Sequence, residues 1–158
     1  MTVSHVSISS EDVLNPKIQA IFFDLGDTLV RPPRTWLPGA KAALAALKAK
    51  GFRIGIISNT TGLANRAAIL SLLPIDFDIT VFEAALVLFS SEVGIEKPKK
   101  GIFEKAVAAT TGAAAKCLYC SENPVETLAA QAVGMRSLRI VTGSDDLTRL
   151  DTYITQSL

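Results

Sequence analysis

The stretch Phe22-Phe23-Asp24-Leu25-Gly26-Asp27-Thr28-Leu29 sets the reading of the whole chain. A short apolar run, residues 19–23, ends on a carboxylate and enters a turn that contains glycine. A run of that length bounded by turn residues fits a strand buried on both faces. Asp24 then stands at the mouth of whatever lies beyond the strand. Two readings are open for it: a nucleophile or cation ligand, or an Asp that only ends a strand and shapes a turn.

Working outward, the pattern repeats. Residues 40–50 place Ala40, Ala43, Leu44 and Leu47 on one helical face, with Gly51 as the stop. Residues 52–57 are a second strand and 63–73 a helix ended by Pro74. Residues 86–89 are a third strand, and 98–111 a helix with proline at its first position. Residues 117–120 form a fourth strand, 124–133 a helix capped by Asn123, and 137–141 a fifth strand. Residues 145–156 close the chain as a helix capped by Ser144, and 30–39 read as a rigid proline-rich loop. Apolar strands alternating with amphipathic helices predict an α/β fold, a three-layer Rossmann-like parallel sheet of five strands. Such sheets bind ligands at the carboxyl ends of their strands.

Composition agrees with a globular protein and excludes several classes. The chain has 158 residues, 49% hydrophobic and 20% charged, with a net charge of +1. That is too neutral for a general nucleic-acid binder. Residues 1–16 form a polar arm without a basic start and apolar core, so no signal peptide is expected. No apolar run approaches the roughly 20 residues that span a bilayer. Residues 17–158 are expected to form one domain, in the cytoplasm. Cys117 and Cys120 make a C-x-x-C, but three residues apart on a strand they point to opposite faces and read as buried thiols.

Three more polar clusters follow strands. Ser58-Asn59-Thr60 offers hydroxyl, amide and backbone donors to phosphoryl oxygens, or a helix cap. Lys97, just before Pro98, is placed to neutralise an anion, or is a surface lysine. In Ser121-Glu122-Asn123-Pro124-Val125-Glu126 the carboxylates are candidates to complete a hard-cation site with Asp24. Glu126 has a second reading, since it stands three residues after Asn123 as in a capping box.

The order of these clusters, Asp, then Ser, then Lys, then an acidic segment, resembles the haloacid dehalogenase (HAD) superfamily. The stretch Gly94-Ile-Glu-Lys97-Pro98-Lys-Lys-Gly-Ile102-Phe103 looks like the family's lysine motif, and Ala129-Ala-Gln-Ala132-Val-Gly134-Met135 like the segment after its acidic motif. The resemblance implies a HAD-like phosphohydrolase that cleaves phosphomonoesters through an aspartyl-phosphate. Asp24 would be the nucleophile, Ser58 would bind the phosphoryl oxygens, and Lys97 would steady both. Mg²⁺ would be held by Asp24, the carbonyl of Gly26, and Glu122 or Glu126. Asn59, Thr60 and Arg31 are the substrate-binding candidates.

Two departures from the family's pattern stand out. Gly26 occupies the place of the usual acid/base Asp, and an Asp appears one residue later, at Asp27. Ser121-Glu122 replaces the usual Gly-Asp. Slow turnover follows from the first, and a catalytically inactive module that binds a partner or phosphorylated ligand is the alternative. Asp24 and Ser58 are 34 residues apart, and Ser58 and Lys97 are 39 apart. Core elements use up both gaps, so a capless member is expected. Its substrate would be a phosphorylated small molecule or an exposed phosphoryl group on a larger one, with neither nucleic acid nor membrane as partner. Homo-oligomerisation is the expected means of closing an uncovered site.

Overall fold

The computed structural model describes residues 17–156; the predicted polar arm, 1–16, lies outside them. The elements are β1 (Ala20–Phe23), β2 (Val30–Arg31), β3 (Thr35–Trp36), α1 (Ala40–Ala49), β4 (Arg53–Ser58), α2 (Arg66–Leu70) and β5 (Val87–Phe89). They continue with α3 (Ser90–Val93), α4 (Lys100–Thr110), β6 (Cys117–Ser121), α5 (Pro124–Ala132), β7 (Arg136–Arg139) and α6 (Asp146–Gln156). Five strands form one parallel sheet in the order β5-β4-β1-β6-β7. The expected fold class holds. β1 lies at the centre and all four of its residues are buried, because helices cover both faces.

Strand alternation divides the interior in two. Ile21, Phe23, Ile54, Ile56, Leu118 and Cys120 face α1 and α6, whose Leu44, Leu47, Leu147 and Leu150 pack against them. Phe22, Ile57, Cys117 and Tyr119 face α4 and α5, meeting Ile102, Phe103, Ala106 and Ala130. The two cysteines point into opposite layers as expected, both unpaired and buried. At Gly55 in β4 a methyl group would lie 2.6 Å from the Leu86 carbonyl and 2.7 Å from the Phe22 ring. Only glycine lets β4 and the segment before β5 close over that ring.

Three local expectations are corrected. The loop 30–39 contains an antiparallel hairpin, β2-β3, pairing Val30 with Trp36. It is tied to residues 71–77: the Arg34 N–H donates to the Leu72 carbonyl, and Trp36 Nε1 donates to Asp76 at 2.7 Å. The helix expected over 63–73 spans only Arg66–Leu70, since the Asn65 side chain accepts from the Ala68 N–H and starts it later. The helix expected over 98–111 spans Lys100–Thr110 with Lys99 as its cap, so Pro98 precedes it rather than opening it. No helix among the described residues is long and apolar enough to cross a membrane.

Candidate active site

The carboxyl ends of β1, β4 and β6 and the segment before α4 meet at one point. Asp24 follows β1, and its N–H donates to the Cys120 carbonyl at 3.0 Å, which fixes its backbone to β6. Asp24 is 6% exposed. Its Oδ1 accepts the Leu25 N–H and the Lys97 ammonium, each at 2.8 Å, while Oδ2 takes only a long contact from the Ser121 hydroxyl at 3.4 Å. Burial pushes the Asp24 carboxyl above its ordinary value, against the pull of Lys97.

The turn after Asp24 is closed by the Leu25 carbonyl, which accepts the N–H groups of Thr28, Leu29 and Val30. Asp27 adopts a left-handed backbone, φ 62°, a conformation Asp tolerates better than most residues. Its side chain is exposed and lies 3.5 Å from Arg31. The carboxylate displaced by one residue therefore faces solvent and an arginine. At Gly26 a Cβ would meet nothing within 4 Å, so the missing carboxylate is not a matter of space.

Lys97 is nearly buried although its charge costs solvation. Nζ lies 2.8 Å from Asp24 Oδ1 and 2.6 Å from Glu126 Oε1, and donates to the Tyr119 hydroxyl at 3.1 Å. Asn59 holds the lysine's backbone at both ends: its Oδ1 accepts the Lys97 N–H at 2.8 Å and its Nδ2 donates to the Lys97 carbonyl at 3.0 Å. Thr60 bonds Ser90 through its N–H and Ser91 through its hydroxyl, at 2.7 Å each. The two residues expected to contact substrate use these groups to place Lys97 and α3. Ser58, at the end of β4, is buried beside them at 7% exposure. Arg31 is exposed on the hairpin.

The acidic segment divides its duties. Asn123 caps α5, accepting from Val125 and Glu126 N–H. Glu126 does not return the bond as a capping box would: the Asn123 N–H goes to the Ser121 hydroxyl, and the Glu126 carboxylate turns inward to Lys97 and Tyr119. Glu122 is tied by its N–H to the Thr28 hydroxyl at 3.0 Å and stays partly exposed. Its carboxyl is raised by burial and by Asp24, Glu126 and Asp27. Tyr119 escaped the sequence reading, because on a strand it looks like one more core aromatic; strand parity with Cys117 puts it on the face that Lys97 reaches.

A sequence model of haloacid dehalogenase-like hydrolases matches residues 33–134. The chain belongs to the haloacid dehalogenase-like hydrolase family. In fold this HAD-like hydrolase resembles several solved proteins. One from Bacteroides fragilis superposes with a TM-score of 0.69 at 18% identity, over 80% of this chain and 89% of its own. A HAD-like family hydrolase from Porphyromonas gingivalis gives 0.65 at 13% identity, over 87% and 98%. CbbY from Rhodobacter sphaeroides, solved in complex with phosphate, gives 0.60 at 15% identity, over 76% and 84%. No curated protein matches the sequence.

Proposed function

We propose that this HAD-like hydrolase is a phosphomonoesterase that works through an aspartyl-phosphate on Asp24. The observation that carries this reading is the buried ion pair between Asp24 and Lys97, 2.8 Å apart, at the carboxyl end of the central strand. Isolated buried charges are costly, and a pair of this kind next to a strand-end turn suits a nucleophile placed beside its electrostatic partner. An Asp24 oxygen attacks phosphorus, the P–O bond to the alcohol breaks, and water then cleaves the acyl phosphate to release inorganic phosphate. Ser58 donates to a phosphoryl oxygen, and Lys97 offsets the charge of the transferring group. Phosphoryl transfer suits such a site, since positioning and charge stabilisation supply most of its catalysis.

The donor chemistry fits Mg²⁺. Asp24 Oδ2 is free of the lysine, Asp24 and Glu126 share the Lys97 ammonium, and the Glu122 carboxyl feels both of those carboxylates. Among the described residues no three such side chains converge on one point, but Mg²⁺ needs only one or two carboxylates and fills the rest with water and phosphate oxygens. Asp24, the Gly26 carbonyl and Glu122 would hold it, and when bound it would neutralise phosphoryl charge. Glu126 is left out of this set because its Oε1 already serves Lys97 and Tyr119.

The residues between Asp24 and Ser58 form a hairpin, α1 and β4, and those between Ser58 and Lys97 form α2, turns, β5 and α3. That supports a capless member acting on exposed phosphoryl groups. Two unpaired buried thiols suit the reducing cytoplasm. The test is a phosphoester panel with and without Mg²⁺, run beside Asp24→Asn. Mg²⁺-dependent turnover that vanishes in the variant is expected. Activity retained by Asp24→Asn rejects the mechanism. A binding-only module is the second reading, favoured by Gly26 in place of the acid/base Asp; it is adopted if no panel member turns over while phosphate still raises Tm.

A further inference from the structure

The Tyr119 hydroxyl touches both Lys97 and Glu126. It accepts from Lys97 Nζ at 3.1 Å and donates to Glu126 Oε1 at 2.7 Å. The residue is fully buried in β6, and its ring meets Phe103 edge-on with centroids 5.1 Å apart. The hydroxyl therefore has little freedom to turn elsewhere: the strand sets the ring's height and Phe103 sets its tilt. A phenol carries one hydrogen and accepts through oxygen, so giving its proton to Glu126 leaves the oxygen lone pairs for the ammonium. Burial and the neighbouring Asp24 and Glu126 carboxylates hold the phenol well above its ordinary value, which keeps that proton in place.

We propose that Tyr119 is a positioning residue that fixes the Lys97 ammonium between Asp24 and Glu126. Lys97 has a flexible four-carbon stem that loses considerable rotamer freedom when its head is fixed. Asn59 anchors only its backbone. Asp24 and Glu126 each take one bond from the ammonium and leave its third N–H to be placed. The tyrosine oxygen, held from below by the sheet, supplies the third fixed point. The rate consequences rest on the phosphohydrolase reading; the placement of the ammonium does not.

The test is Tyr119→Phe, which keeps the ring and its contact with Phe103 and removes only the hydroxyl. In the wild-type protein the Lys97 ε-ammonium should give a resolved ¹H–¹⁵N NMR signal, because buried, bonded hydrogens exchange slowly with water; its loss in Lys97→Arg assigns it. In Tyr119→Phe that signal should broaden or vanish. With aryl phosphate and Mg²⁺, kcat should fall about tenfold, the scale of one lost hydrogen bond to a charged group, while KM stays within about twofold because Tyr119 does not reach substrate. A residue that merely packs would move neither readout. An ammonium signal as sharp in Tyr119→Phe as in wild type overturns the proposal. So does a wild-type protein without any protected Lys97 signal, a result that stands even if the Phe variant fails to fold. Absence of turnover in the wild type would sink the phosphohydrolase reading instead, and leaves the ammonium measurement valid.

Discussion

Asp24 and Lys97 are 73 residues apart, yet the sequence pointed to both, because each directly precedes or follows a recognisable core element and their order is informative. Asn59 and Thr60 were harder to read. Their partners, the Lys97 backbone and the Ser90 and Ser91 hydroxyls, lie 30 or more residues away, and nothing local marks an amide as a clamp rather than a ligand. Glu126 was ambiguous for a different reason: cap and site compete for the same side chain, and only the fold decides. Two predictions belong at this scale. Space is open at Gly26, so Gly26→Asp should fold normally and raise kcat on aryl phosphate; general acid–base help is typically worth 10²–10⁴-fold, and a gain of about tenfold would already support the geometry. Unchanged or lower kcat in that variant would mean that the acid's absence does not limit the rate. The second concerns Asp24→Asn. Two buried carboxylates share one ammonium here, and burial raises the Asp24 carboxyl. A carboxyl raised on folding favours its neutral form, so the folded state loses stability as pH rises through the folded value. Asparagine keeps the shape without the charge. At pH 7 and without divalent cation the variant should melt about 2–4 °C above wild type, while losing turnover; a lower Tm would contradict the electrostatic picture.

The sheet strands and the helices that cover them were legible because each carries a clear period and a stop residue, from Gly51 to Gly134. The β2-β3 hairpin was not. Its strands are two residues long, prolines interrupt it, and its stability comes from residues 71–77 rather than from itself. Asp76 is the centre of that attachment, accepting from Trp36 Nε1 and from Lys41. Those two bonds hold the Asp76 carboxyl below its ordinary value of 3.8. A carboxyl lowered on folding contributes stability that is present above its unfolded value and is lost as pH falls through the folded one. The hairpin should therefore loosen only below about pH 4. Trp36 is the chain's sole tryptophan, so its emission reports the event directly. A fluorescence change in that range is expected in wild type and should be absent, or already complete at pH 7, in Asp76→Asn. The sheet makes a sharper demand at Gly55. There a Cβ would strike the Leu86 carbonyl and the Phe22 ring, neither of which can yield cheaply. Gly55→Ala should cost about 1–3 kcal/mol in chemical denaturation, and a neutral result would show that β4 and β5 can part without loss.

At the scale of the molecule, the two apolar layers use helices α1, α6, α4 and α5 to cover the sheet faces, which leaves the strand ends to the turn after β1, the β2-β3 hairpin and the loops that follow β4 and β6. Arg31 and Asp27 stand there exposed, and Asp24 lies just beneath the surface at 6% exposure. Enzymes that close a lid exclude water and select substrates by how well they drive closure. A site reached only through loops, as the capless reading proposes, would have neither means. It gives up rate, since water stays near the reacting group, but it does not reject bulk. The expected outcome is that kcat/KM for a phosphoryl group carried on a peptide is comparable to that for a small aryl phosphate, and that truncating the peptide around the phosphorylated residue changes little. A covered site predicts the opposite, with activity on the small ester alone. If the covering element is a second copy of this chain, the small-ester preference should also grow with protein concentration, in step with the dimer fraction measured by sedimentation. A preference that ignores concentration would then place the cover within the chain itself, and the capless assignment would fall with it.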